Sequence, residues 1–131
     1  MEQKRKIMIV EDDVIISQSL SAILRRCGFE ICQLEITGEP AHEDMEKEKP
    51  DLVIMDILLA EDMDGVEAAK EIHSRHIIPI IFLTGYTDEE ILEKARSVES
   101  SICILKPVDH KEILEMIDQS LRKKIEETQS P

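Results

Sequence analysis

Three acids stand in a row at Glu11-Asp12-Asp13, directly after the apolar residues 7–10, IMIV. Adjacent carboxylates repel each other and add nothing to a core strand, so their clustering calls for an attracted partner. Three other polar residues stand in the same relation to apolar runs: Asp56 after 52–55, Thr84 after 77–83 and Lys106 after 102–105. Carboxylates crowded around one ammonium make a poor anion site. They make a good site for a hard divalent cation such as Mg²⁺, which takes oxygen ligands and retains waters. With such a cation bound, the metal and Lys106 offset the charge of an approaching phosphate. The Thr84 hydroxyl can donate to a phosphoryl oxygen, and one carboxylate can attack phosphorus to form an acyl phosphate. Asp56 is the best nucleophile, being the lone acid at the centre of the expected sheet.

The apolar runs 7–10, 52–55, 77–83 and 102–105 are short and continuous, as parallel strands covered on both faces require. Residues 29–36 are interrupted by Glu30, Gln33 and Glu35 and read as a half-exposed edge strand. Helical patterns lie between. Val14, Ile15, Leu20, Ile23, Leu24 and Cys27 fit one helix that ends at Gly28. The acidic, weakly apolar residues 39–49 hold a second, and Val66, Ala69 and Ile72 a third. Thr87-Asp88-Glu89-Glu90 has the form of a capping box opening a fourth helix. Asp109-His110-Lys111-Glu112 opens a last one through Ile113, Leu114, Ile117 and Leu121. A β-α unit repeated five times predicts one α/β domain with a parallel sheet and right-handed crossovers. Ligands of such sheets sit beyond the carboxyl ends of the strands, where the four polar stretches would meet.

A chain of 131 residues suits a single domain. We place it at residues 5–125, with 126–131 as a frayed tail and no output domain. The formal charge of −13 argues against autonomous binding to the polyanionic backbone of nucleic acid. No apolar stretch approaches the roughly 20 residues of a membrane span. MEQKRK at the start is followed by no signal-peptide core, which argues against export. Cys27, Cys32 and Cys103 are odd in number and lack zinc spacing, which favours reduced, partly buried thiols and a cytoplasmic location. His42, His73, His76 and His110 lack ligand spacing and read as surface residues.

With these elements in order, MIVEDD, LVIMDI, the Asp-Gly of EDMDG, IFLTGYTDEE and ILKPV resemble the motifs of response-regulator receiver domains. These are the phosphoacceptor modules of two-component signalling. Each motif alone is weak, but the five together, spanning roughly residues 6–121, are specific. The resemblance implies a doubly wound, flavodoxin-like sheet of five parallel strands in the order 2-1-3-4-5, flanked by five helices. It implies that Asp56 is phosphorylated from the phosphohistidine of a histidine kinase or phosphotransfer protein. It also implies Mg²⁺ or Mn²⁺ held by Asp12, Asp56 and the Leu58 carbonyl, with Glu11 acting mostly through water. Thr84 and Lys106 then contact the phosphoryl group, and Asp13 is left to cap the first helix. A module of this kind is not a turnover enzyme, and its acyl phosphate controls binding of a downstream protein.

Some positions depart from the family pattern. Cys103 stands three residues before Lys106, where the family usually has Tyr or Phe, so the usual threonine-and-aromatic switch cannot operate as such. Tyr86 sits two residues past Thr84. Ala60 replaces a common proline, and an extra residue precedes Asp64-Gly65. Two other functions fit less well. A flavodoxin-type carrier needs an uncharged phosphate loop where this chain has Glu11-Asp12-Asp13. An aspartyl phosphohydrolase usually has a second acid two residues after the nucleophile, where this chain has Leu58.

Overall fold

The apolar runs become strands: β1 (Lys6–Val10), β2 (Glu30–Gln33), β3 (Leu52–Asp56), β4 (Ile80–Thr84) and β5 (Ser101–Leu105). This computed structural model describes residues 5–11, 13–33, 47–56, 70, 72, 78–85, 93, 101–105 and 109–129, with residues 33, 84, 101, 105 and 123–129 described by backbone. The strands are parallel throughout and lie in the order β2-β1-β3-β4-β5. That is the order the resemblance implies, and β3 is the middle strand.

Two helices are described along their length, α1 (Val14–Arg26) and α2 (His110–Gln129). Lys47, Glu48, Lys70, Ile72 and Glu93 also have helical backbone, at the three places where the sequence expects the other helices. Both α1 and α2 pack on one face of the sheet. Leu20 and Leu24 from α1 and Ile113, Ile117 and Leu121 from α2 form one core with Ile7, Ile9, Leu52, Ile54, Ile81, Leu83 and Ile104. The alternate strand residues Met8, Val53, Met55, Ile80 and Phe82 are also wholly buried. Burial on both faces explains why these runs contain no polar residue. Each such side chain contributes about 1.5–3 kcal/mol relative to an exposed one.

Local chemistry sets the helix ends. Asp13 caps α1, its side chain accepting from the backbone N–H groups of Ile15 and Ile16. At the other end Gly28 has φ +95°, a left-handed conformation that a side chain would strain. This lets Gly28 N–H reach Arg25 O at 3.0 Å and Phe29 N–H reach Leu24 O at 3.0 Å, closing the helix in a Schellman turn. Asp109 starts α2 by accepting from Lys111 N–H at 2.9 Å. The helical backbone of α2 continues through Gln129, beyond the residue 125 at which the sequence reading ends the domain. Glu126, Glu127 and Gln129 are residue types that favour helix. Among the described residues, no helix is long and apolar enough to cross a membrane.

Two details refine the strands. β4 begins at Ile80, later than the apolar run at 77, because Pro79 has no N–H for the ladder. Its carbonyl still accepts from Val53 N–H at 3.1 Å. At the opposite margin β2 is an edge strand, as expected, although residues 34–36 lie outside the described residues.

A clasp at the amino ends of β1 and β3 fixes their register. Lys6 N–H donates to Asp51 Oδ2 at 2.8 Å, and Asp51 N–H returns a bond to Lys6 O at 2.7 Å. Lys6 Nζ adds bonds to the Glu48 carbonyl at 3.0 Å and to Glu48 Oε2 at 3.4 Å.

Candidate functional site

Strand register assembles the far end of the sheet. Val10 pairs with Met55, so Glu11, the next residue, comes level with Asp56. Asp56 pairs with Leu83, which places Thr84 one step beyond it on the neighbouring strand. Thr84 pairs in turn with Leu105, the last residue of β5. The carboxyl ends of four strands thus form a staircase on which Glu11, Asp56 and Thr84 occupy adjacent steps. Asp12, Leu58 and Lys106 of the expected site lie outside the described residues, as do Ala60, Asp64, Gly65 and Tyr86. Thr84 is placed through its backbone.

Asp56 is the last residue of the middle strand and only 7% exposed. A carboxylate this sheltered costs free energy unless it is paired or hydrogen-bonded. Glu11 is half-buried, with its Oε2 shielded from water. Its Oε1 accepts from Asp13 N–H at 3.1 Å. Two sheltered carboxylates at neighbouring strand ends suit a hard cation, because their mutual repulsion turns into joint attraction once it binds. Among the described residues, no three acids, cysteines or histidines are grouped so that they could hold a metal ion. The third acid of the expected set is Asp12.

The cap described for α1 accounts for Asp13. It bonds to Ile15 N–H at 3.0 Å and Ile16 N–H at 3.2 Å, and its own carbonyl accepts from Ser17 N–H at 2.9 Å. The capping role expected of Asp13 is thus present. The sequence reading does less well with Val14 and Ile15, which it counts among the apolar positions of α1. They are 63% and 79% exposed, at the start of the helix and next to the acids. The buried stripe of α1 runs instead through Ser17, Leu20, Ser21 and Leu24. Two serines on that stripe lower its apolar contrast, which is why the pattern alone does not exclude Val14 and Ile15.

Cys103 is half-buried on β5 and pairs with the fully buried Phe82 of β4. His110, the first residue of α2, is exposed. His42, His73 and His76 lie outside the described residues.

Comparison with known proteins agrees with this geometry. Residues 7–118 match the model of the response regulator receiver domain. The transcriptional regulatory protein PdtaR of Mycobacterium tuberculosis is 36% identical over 114 residues, covering 87% of this chain and 55% of that protein. The chain therefore spans about half the length of that curated relative. A CheY-like receiver domain protein from Methanospirillum hungatei JF-1 superposes with a TM-score of 0.84 at 30% identity, covering 95% of this chain and 99% of the other. The N-terminal domain of a response regulator/sensory box/GGDEF protein from Carboxydothermus hydrogenoformans gives 0.82 at 32% identity, with the same coverage. A sheet ordered 2-1-3-4-5, acids stepped along its carboxyl edge and a family match over most of the length lead to one assignment: the chain belongs to the response regulator receiver domains of two-component systems.

Proposed function

We propose that Asp56 is the phosphoacceptor of this receiver domain. The observation that carries the reading is a sheltered carboxylate ending the middle strand, level with Glu11 and one step from Thr84. In the reaction, an Asp56 oxygen attacks the phosphorus of a phosphohistidine. The new O–P bond forms as the N–P bond breaks, and the imidazole leaves with the nitrogen electron pair. Asp12, Asp56 and the Leu58 carbonyl would hold Mg²⁺ or Mn²⁺, with Glu11 acting through water. The bound cation supplies charge neutralisation for the approaching phosphoryl group. Thr84 and Lys106 contact the phosphoryl oxygens once they are in place. These contacts exist only in the phosphorylated state, and that difference shifts the conformational equilibrium.

The phosphodonor is a histidine kinase or phosphotransfer protein. Val14 and Ile15, exposed beside the acids, give such a partner an apolar foothold. The readout is binding of a downstream protein. The chain's charge of −13 supports a role in which the receiver itself leaves nucleic acid alone, even though PdtaR is named a transcriptional regulatory protein. We place this activity in the cytoplasm, with no turnover of external substrates beyond slow loss of the domain's own phosphoryl group.

The test is incubation with acetyl phosphate and Mg²⁺ followed by intact-mass measurement. The wild-type chain gains the mass of one phosphoryl group, and Asp56→Asn gains none. An unmodified wild-type chain, or equal gain in the variant, refutes the assignment.

A further inference from the structure

The third acid of the row is not among the metal ligands of the proposed site, yet its bonds tie the helix to Glu11. Asp13 uses a carboxylate oxygen and its carbonyl toward α1, bonding Ile15, Ile16 and Ser17. It uses its remaining backbone group, the N–H, in the opposite direction, on Glu11 Oε1 at 3.1 Å. On one side α1 is anchored to the sheet by buried Leu20 and Leu24. On the other, Glu11 Oε2 is left shielded from water, level with Asp56. A single residue thus relays the fixed position of a helix to a carboxylate whose side chain has several rotatable bonds.

We propose that Asp13 is a positioning residue of the phosphoacceptor site: by capping α1 it holds its own backbone N–H on Glu11 and so sets the direction in which the Glu11 carboxylate faces a divalent cation. The inference rests on the phosphoacceptor reading and adds to it a role for a residue that is neither ligand nor nucleophile. Glu is costly to order because of its rotamer freedom. If the cap is lost, the first turn of α1 frays, the Asp13 N–H wanders, and that ordering must take place when the cation binds. What is lost is orientation. A side chain that restores the cap should therefore restore affinity even when it carries no charge.

Calorimetric titration with Mg²⁺ alone tests this, with the thermal midpoint of each variant measured in parallel. Asp13→Ala removes the cap and should weaken Mg²⁺ on the order of tenfold, the scale of lost support around a metal ligand. Asp13→Asn and Asp13→Ser keep a capping oxygen without the charge and should bind within about twofold of wild type. In a Glu11→Ala background, Asp13→Ala should cost nothing further in affinity, since the relay has lost its target. A merely structural cap would lower the thermal midpoint and leave Mg²⁺ affinity unchanged, which overturns the proposal. Equal weakening in Ala, Asn and Ser variants also overturns it, because charge would then be the cause. So does a full Asp13→Ala effect without Glu11. Those three results leave the phosphoacceptor reading intact, whereas a wild-type chain that ignores Mg²⁺ sinks both.

Discussion

The Cys32 thiol gives a quantitative check on the clasp that sets the β1–β3 register. Cys32 lies on β2 opposite Met8, its Sγ donating to the Ile7 carbonyl at 3.9 Å. Burial pushes its pKa up from 9.0 to about 11, helped by the negative charges of Glu48 and Glu30 and opposed by Lys6. Alkylation proceeds through the thiolate. At pH 9 a thiol of the ordinary value is half ionised, whereas one near 11 is ionised to about one part in a hundred, so Cys32 should react about fifty-fold more slowly. Cys27, exposed at the end of α1, is the internal reference. Proteolysis after Glu30 separates the two cysteines, and a timed iodoacetamide pulse with peptide mass spectrometry gives both rates. Glu48→Gln removes the negative charge with the larger effect on Cys32 and should accelerate it, while Lys6→Met should slow it. Equal rates for Cys27 and Cys32 at pH 9, or no response to Glu48→Gln, would refute the packing of the Lys6–Glu48 pair beside β2.

The same shift has a consequence for stability. The folded state holds the Cys32 proton more tightly than the unfolded chain does. Its contribution is therefore complete below pH 9 and is lost as pH rises through about 11. The denaturation midpoint should fall across that window, and Cys32→Ala should remove part of the fall.

Two further substitutions test the scaffold. Ile54 is wholly buried on the middle strand between Ile9 and Ile81, so Ile54→Ala should destabilise by about 2–5 kcal/mol in urea titration. A loss under about 1 kcal/mol would contradict the packing. Lys49 has φ +51° and is exposed, a backbone conformation that costs a side-chain-bearing residue about 1–2 kcal/mol. Lys49→Gly should therefore hold or raise the thermal midpoint despite glycine's larger unfolded-state entropy, and Lys49→Val should lower it. The reverse order would show that the left-handed turn is not there.

How far the sequence could be read depended on whether a residue's role is local or relational. Strands buried on both faces announce themselves, because nothing polar is tolerated at Ile7, Met8, Ile9 or Val10. Caps are also legible, since Asp13, Gly28 and Asp109 act within a few residues of themselves. The exposure of Val14 and Ile15 was not legible. It depends on which stripe of α1 meets the sheet, and Ser17 and Ser21 blur that stripe. Neither was the start of β4 at Ile80, because Ile78 and Pro79 are buried without entering the strand. Cys103 could be recognised as a departure, and its pairing opposite Phe82 adds that, among the described residues, the fully buried aromatic belongs to β4.

The site could be anticipated from strand ends because parallel pairing converts position along a strand into position in space. This conversion depends on register, and the register of β1 against β3 is held farthest from the site. From Leu52 to Asp56 the strand rises by about 3.3 Å per residue, so the Lys6–Asp51 clasp and the Asp56 carboxyl lie at opposite ends of it. A slip of one residue would turn every side chain of β3 to the other face. Asp56 would leave the level of Glu11, and Ile54 would leave the core it shares with α1 and α2. Both faces of β3 are closely packed, so exchanging Leu52 and Ile54 with Val53 and Met55 makes the slip costly, and the paired Lys6 and Asp51 bonds favour one alignment. Glu11 and Asp56 therefore meet because apolar residues and a distant pair of hydrogen bonds leave the backbone only one way to align. That order of causes explains how a cluster of mutually repelling charges can stand at the end of a stable sheet.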